Sequence, residues 1–327
     1  NGRAEAAIRA DLKPVIFSVE QLEYTKPPNT DGTATCTAVL QNAKLREVQA
    51  LTIKTPDLTL ENAALGFEGE SVLRRGSFPR LIHGETNIAL GLEVAPQTRQ
   101  MRVAIKGASL DAIPLLKKED GKIKTDKPPI FATVDVAKLR VNPDGVLDNV
   151  QLTLDMDAQG GLNRLDLDGT AGKGTIKMRL NPDASGKMNL SLEATDAGAT
   201  LRTFDAYENM KGGKLSIKGQ SKNALEKSLI TGTANITNFK VVKAPVLARL
   251  VGLISPTGIP ELLSGEGLSF ARLETEFDWQ RRQQGDLYKF RNGRTSGSSV
   301  GLTFEGSVDK AQNQMNIKGE IVPIAMV

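Results

Sequence analysis

Carboxylates spaced two residues apart are the first groups in this chain that could do chemistry. Asp155 and Asp157 would share one face of a strand, and so would Asp166 and Asp168. Such a pair can hold a divalent cation or divide acid and base work at a glycosidic bond. The same spacing also arises from solvated charges on the outer face of a sheet. His83 is the single histidine, so multi-histidine zinc sites fall away. It sits near Arg80 and Glu85 between Pro79 and Gly84, a setting for an exposed or hydrogen-bonded structural residue. Cys36 is the single cysteine, which excludes an intrachain disulfide and a cysteine metal cluster. It shares a strand face with Ala34, Ala38 and Leu40, as a small buried hydrophobe would. Gly212-Gly213 and Gly265-Glu266-Gly267 lack the spacing of a phosphate loop. Trp279, followed by Arg281-Arg282, could anchor at a lipid headgroup layer or end a core strand. No nucleophile–base pair and no metal set emerges. The expectation is a protein that is not an enzyme and uses no cofactor or metal.

The elements that would position these residues are strands. Two-residue alternation, the mark of a half-buried strand, recurs along the chain. Ile88, Leu90, Leu92 and Val94 share one face, and Val150, Leu152, Leu154 and Met156 another. The pattern returns at Ile176, Met178 and Leu180, at Met188, Leu190 and Leu192, and at Leu273, Phe277 and Trp279. Leu302, Phe304 and Val308, then Met315, Ile317 and Ile321, close the series. Turn signals divide the strands: Asn142-Pro143-Asp144-Gly145, Gln159-Gly160-Gly161, Asn181-Pro182-Asp183, Lys211-Gly212-Gly213 and Arg291-Asn292-Gly293. Residues 117–129, charged and ending in Pro128-Pro129, read as an exposed loop and a candidate boundary. They separate an N-terminal part, 1–116, from 130–327.

Hydrophobic content of 39% with 24% charged residues describes a folded chain. Its net charge of +4 is spread among interleaved acids and bases, which argues against a nucleic-acid groove. No window of about 18 apolar residues could span a bilayer. About 18 to 20 strands spaced about 4.8 Å apart would make a sheet roughly 90 Å wide. Open sheets of that width curl, split or close. With few helices to cover its apolar side, the sheet must fold on itself or form a trough that something else fills.

Residues 244–274 hold the one amphipathic helical pattern. Pro245 suits a first helical position. Val246, Leu250 and Ile254 recur at i, i+4 and i+8, flanked by Leu247 and Val251, with Arg249 and Gly252 opposite. Ser255-Pro256 stops the helix, and a second turn, Pro260 to Leu263, ends at Gly265. A helical hairpin over 244–265 is expected, packed on the sheet or set as a lid at the mouth of a groove.

Ala244-Pro245, Leu247, Arg249-Leu250, Ser255, Gly258, Leu263-Ser264-Gly265-Glu266-Gly267 and Phe270 resemble the C-terminal pattern of the AsmA-like family, which includes the TamB and YhdP groups. Asp196 to Arg202 with Tyr207 to Leu215, Ser298 to Asp309, and Gly319 to Pro323 resemble further blocks of that family. The resemblance covers about 110–327. It implies a long, strongly curled, mostly antiparallel sheet forming an elongated hydrophobic groove. It implies a periplasmic protein tethered to the inner membrane by an N-terminal helix that this chain does not include. The implied function is a conduit carrying phospholipid between inner and outer membranes, with envelope proteins at either end. Groove-lining residues would be Ile88, Leu90, Leu92, Val150, Leu152, Leu154, Ile176, Met178, Met188, Leu190, Leu192, Leu302, Phe304, Met315 and Ile317. Val246, Leu247, Leu250, Val251 and Ile254 would form the groove-end helix. The alternative is an assembly scaffold for outer-membrane β-barrel proteins, acting through exposed strand edges.

Overall fold

The computed structural model describes residues 2–69, 72–116, 128–243, 267–282, 285–297 and 300–323. Among them are twenty strands and two short α-helices. Eighteen strands belong to one large, mixed, mostly antiparallel sheet. The chain divides into two compact units, Asn1–Leu162 and Asn163–Val327.

The first unit runs β1 (Arg3–Asp11), β2 (Phe17–Val19), a 3-10 turn (Glu20–Leu22), β3 (Tyr24–Lys26), β4 (Thr33–Gln41), β5 (Lys44–Lys54), β6 (Leu58–Glu68), β7 (Val72–His83), β8 (Thr86–Val94), β9 (Met101–Asp111), α1 (Ile113–Leu116), β10 (Ile130–Asn142) and β11 (Gly145–Met156). β1 pairs with β4, and each strand from β4 to β9 pairs antiparallel with the next. β9 and β10 pair in parallel, Ile130 beside Met101 and Leu139 beside Leu110. A parallel step needs a crossover connection, and the stretch containing α1 supplies it. β10 and β11 form a hairpin whose ends, Asn142 and Gly145, face each other across Pro143-Asp144 as the turn signal predicts. β2 and β3 make a separate two-stranded ribbon.

The second unit runs β12 (Leu162–Ala171), β13 (Gly174–Pro182), β14 (Met188–Ala194), α2 (Ala197–Thr203), β15 (Met210–Ser221), β16 (Leu229–Val241), β17 (Leu268–Gln280), β18 (Leu287–Gly297), β19 (Val300–Asp309) and β20 (Gln314–Pro323). Every ladder from β12 to β20 joins neighbours in sequence and is antiparallel.

The strongly curled sheet is corrected: the sheet is neither closed nor strongly curled. Each short turn adds a strand to the free edge of the one before, and no described ladder brings β20 back to β12 or β11 back to β1. Two expected turns are corrected as well. Lys211-Gly212-Gly213 lies inside β15 and Arg291-Asn292-Gly293 inside β18. Gly212, Gly213 and Asn292 have φ of 63°, 87° and 51°. Beside Asn292, the β18–β19 register shifts between Phe290 and Gly293. The positive φ there serves a bulge within a continuing strand rather than a reversal. The expected helical hairpin 244–265, with Val246, Leu247, Leu250, Val251 and Ile254, lies outside the described residues, as does most of the charged loop 117–129.

The helix described in the second unit is instead α2. The Asp196 carboxylate caps it, accepting a 2.9 Å hydrogen bond from the Ala199 N–H. Ala197, Gly198, Ala199, Thr200 and Thr203 are buried. A Cβ on Gly198 would lie 2.4 Å from the Met210 carbonyl oxygen, so only glycine lets α2 approach β15 this closely. Around that contact Ala194, Met210, Leu215, Ile236, Phe239, Val241, Leu268 and Phe270 form a core, with the Phe239 and Phe270 rings stacked 5.3 Å apart.

Candidate functional site

Cross-strand register decides which side chains share a surface, because opposed residues point to the same face. In the first unit Gly76, Leu92, Val103, Ala132 and Leu154 stand opposite one another in succession from β7 to β11. Phe78, Leu90, Ile105, Val134 and Leu152 make the next row in the same way. In the second unit Leu167, Met178, Leu192, Ile217 and Ala234 form a row from β12 to β16, and Leu165, Leu180, Leu190 and Gly219 another. Each unit therefore carries one continuous apolar face. Bulges in β4 to β8 keep the rows aligned, because each register shift restores apolar side chains to the same face.

Burial varies along these faces. In the first unit Leu58, Leu60, Ile88, Leu110, Leu139 and Leu147 are buried at one end of the strands. Leu65, Leu92, Val103 and Leu154, toward the other end, are half-buried. The segment between β1 and β4 sits over the first end. Its Tyr24 hydroxyl lies 2.8 Å from the Thr55 hydroxyl, and its ring meets His83 edge-on at 5.0 Å. Lys26 is fully buried, and its Nζ donates to the carbonyls of Val15 (3.1 Å), Pro27 (3.0 Å) and Lys13 (3.4 Å). The Leu12 N–H donates to the Gly32 carbonyl (2.9 Å), and α1 packs on the 3-10 turn of this segment. Sequence reasoning missed this plug. Its signals were Tyr24 and Lys26, two apart in a stretch otherwise full of turn residues.

The fifteen expected lining residues separate by exposure. Val150, Ile176 and Met188 are fully enclosed by protein, and Ile88 and Leu190 nearly so. Leu90, Leu92, Leu152, Leu154, Met178, Leu192, Leu302 and Phe304 are half-buried. Met315 and Ile317, on β20, are 73% and 47% exposed. Leu192 and Leu302 also pack against the core under α2.

A concavity of about 740 Å³ lies in the first unit. Most of its lining, including Ala64, Ser77, Gly91, Ala104 and Thr133, alternates with the apolar rows and so belongs to the polar face. Arg75 and Glu47 pair across its margin at 2.7 Å. Small side chains between taller charged ones account for the depression.

The residues that could have done chemistry have structural partners. Asp157 Oδ1 accepts from the N–H groups of Gln159 (2.9 Å) and Gly161 (2.6 Å), closing the turn before β12. Asp166 takes hydrogen bonds from Asn181 (2.7 Å) and Arg164 (2.6 Å), and Asp168 from Arg179. Partial burial pulls the Asp166 pKa upward, but these hydrogen bonds and the arginine charges outweigh it and hold the carboxyl below its ordinary value. His83 Nδ1 lies 2.8 Å from the Asp57 carbonyl oxygen. Cys36 is half-buried beside Ile8 of β1. Trp279 stacks on Tyr288 and donates to Asp286 (3.0 Å). Burial, then the Asp286 charge and its hydrogen bond, push the Tyr288 hydroxyl well above its ordinary pKa. Among the described residues no group of three or more His, Cys, Asp or Glu is placed to hold a metal ion.

No protein-family model, curated protein or solved structure matches this chain. None of the described helices is long and apolar enough to cross a membrane.

Proposed function

We propose that this chain is a lipid-transfer conduit of the Gram-negative envelope, working in the periplasm from an inner-membrane tether. Its cargo would be phospholipid, its partners the two membranes and envelope proteins at either end. The observation that carries the reading is the pair of continuous apolar faces, the first of them half-buried along Leu65, Leu92, Val103 and Leu154. Each methylene kept from water is worth about 0.8 kcal/mol, so an acyl chain of about 14 methylenes gains roughly 11 kcal/mol from full shielding. Rows of Leu, Ile, Val and Met supply that shielding without a specific pocket, as a sliding cargo requires. Nothing in the reading calls for a catalytic group, a metal or a cofactor.

The test is photo-crosslinking from half-buried positions, Leu92, Leu154 and Met178, followed by mass spectrometry. Lipid adducts at these sites, with none from outer-face positions such as Gln151, support a conduit. Labelling of protein alone, in material that purifies without phospholipid, would sink it. The scaffold reading keeps one observation of its own. β20 pairs only with β19 among the described ladders, and Met315 and Ile317 stand exposed on it. A strand edge of that kind invites pairing with another chain.

A further inference from the structure

The turn after α2 exposes two aromatic side chains, Phe204 (41%) and Tyr207 (39%), that neither apolar face uses. They are held firmly. The Phe204 N–H donates to the Thr200 carbonyl (3.2 Å), and the N–H groups of Ala206 (2.8 Å) and Tyr207 (3.4 Å) donate to the Leu201 carbonyl. The helix beneath them is buried on the sheet. Two aromatic side chains left this exposed offer apolar area that a receiving surface would cover.

Basic residues stand on α2 and on the segments that meet it. Arg202 ends α2 and donates to the Met210 carbonyl (2.6 Å). Lys173 lies in the β12–β13 turn, where Gly172 comes against Ala199 of α2. Lys243 follows Val242, whose N–H donates to the Asn209 carbonyl (2.8 Å). All three side chains are exposed, against the acids Asp205 and Glu208, while Asp196 is engaged in the cap.

We propose that this corner of the second unit docks on an anionic bilayer, Phe204 and Tyr207 entering the interfacial layer while Lys173, Arg202 and Lys243 meet phosphate headgroups. Amphipathic rings settle at that depth, and basic side chains around them favour negative lipids. The choice of a bilayer over another surface rests on the lipid-conduit reading.

The experiment is flotation of the whole chain with vesicles of phosphatidylglycerol and phosphatidylethanolamine, and with phosphatidylcholine alone. The wild type should float with the anionic vesicles. Phe204→Ser with Tyr207→Ser should lower its partitioning about tenfold or more. Lys173→Glu with Lys243→Glu should remove the preference for anionic vesicles. As a readout that does not depend on these losses, Tyr207→Trp in a Trp279→Phe background should shift its emission to the blue on anionic vesicles. Failure of the wild type to float, undiminished flotation of the serine variant, or an unshifted tryptophan would overturn the proposal. So would concentration-dependent self-association that the serine variant abolishes without any flotation, which would assign the aromatics to a protein contact. Acyl-chain capture by the same preparations without vesicles reports on the conduit separately, so loss of one does not count as loss of the other.

Discussion

Leu147 and Leu92 occupy the same apolar face but should respond to substitution in opposite ways. Leu147 is fully buried at the plugged end, so Leu147→Ala removes enclosed methyl groups and leaves a cavity. The expected cost is about 3 kcal/mol, or roughly 6–12 °C in the melting temperature of a unit this size. Leu92 is half-buried, with Gly76 opposite it on β7 supplying no side chain to cover it. Leu92→Asn keeps the shape and forfeits about half of a leucine's burial, about 1 kcal/mol. Acyl capture should rank the two the other way. An amide at position 92 would meet about two methylenes of a bound chain, so affinity should fall roughly tenfold. Folded Leu147→Ala should bind nearly as the parent does. Denaturant titration and displacement of a fluorescent fatty acid measure both quantities on one preparation. Equal loss of stability in the two variants, with capture per folded molecule unchanged in Leu92→Asn, would refute the assignment of the half-buried rows to cargo.

Lys26→Met should leave the carbonyls of Lys13, Val15 and Pro27 without their buried donor, costing about 1–3 kcal/mol, and hydrogen exchange should quicken across residues 12–32. Gly198→Ala should push α2 off β15, visible as faster exchange at Met210 and a lower melting temperature, whereas Asp196→Ala should cost only about 1 kcal/mol. Because the folded pKa of Tyr288 is raised, its contribution to stability is complete below the ordinary tyrosine value near 10 and is lost as pH rises above it. Alkaline unfolding followed by ultraviolet absorbance should therefore move to higher pH in Tyr288→Phe. Asp166 has the opposite sign. Its depressed pKa adds stability above the ordinary aspartate value, lost as pH falls through the folded one, so Asp166→Asn should flatten the acid limb of a stability profile.

Alternation made the strands legible because a half-buried strand must repeat every second residue, as at Leu152 and Leu154 or Leu190 and Leu192. The turns at Pro143-Asp144 and Gly160-Gly161 were equally plain, since few residues close a tight reversal. Gly212-Gly213 and Asn292-Gly293 carry the same local chemistry and lie inside continuing strands, the first in unbroken register and the second at a bulge. A positive φ says that the chain bends locally, and only the pairing partner shows whether it turns back. α2 escaped notice because Ala-Gly-Ala-Thr has no amphipathic stripe. Its burial comes from being small enough to lie flat on β15, and Asp196 was its one local signal. The plug over the first unit was hidden for a different reason. Lys26 is buried by backbone carbonyls from its own segment, an arrangement that composition does not record.

The parallel step between β9 and β10 has a consequence for how the molecule could have grown. Among the other described ladders, apart from the one between β1 and β4, strands pair with their neighbours in sequence. Stability then accumulates almost as a sum over adjacent hairpins, as in a linear array of repeats. A hairpin duplicated or lost within β12 to β20 would lengthen or shorten the apolar face by two strands and leave the remaining ladders intact. The same change at β9–β10 would reverse a strand and break the crossover. Length variants should therefore cluster on the antiparallel stretches, with the parallel junction as the fixed point around which they vary.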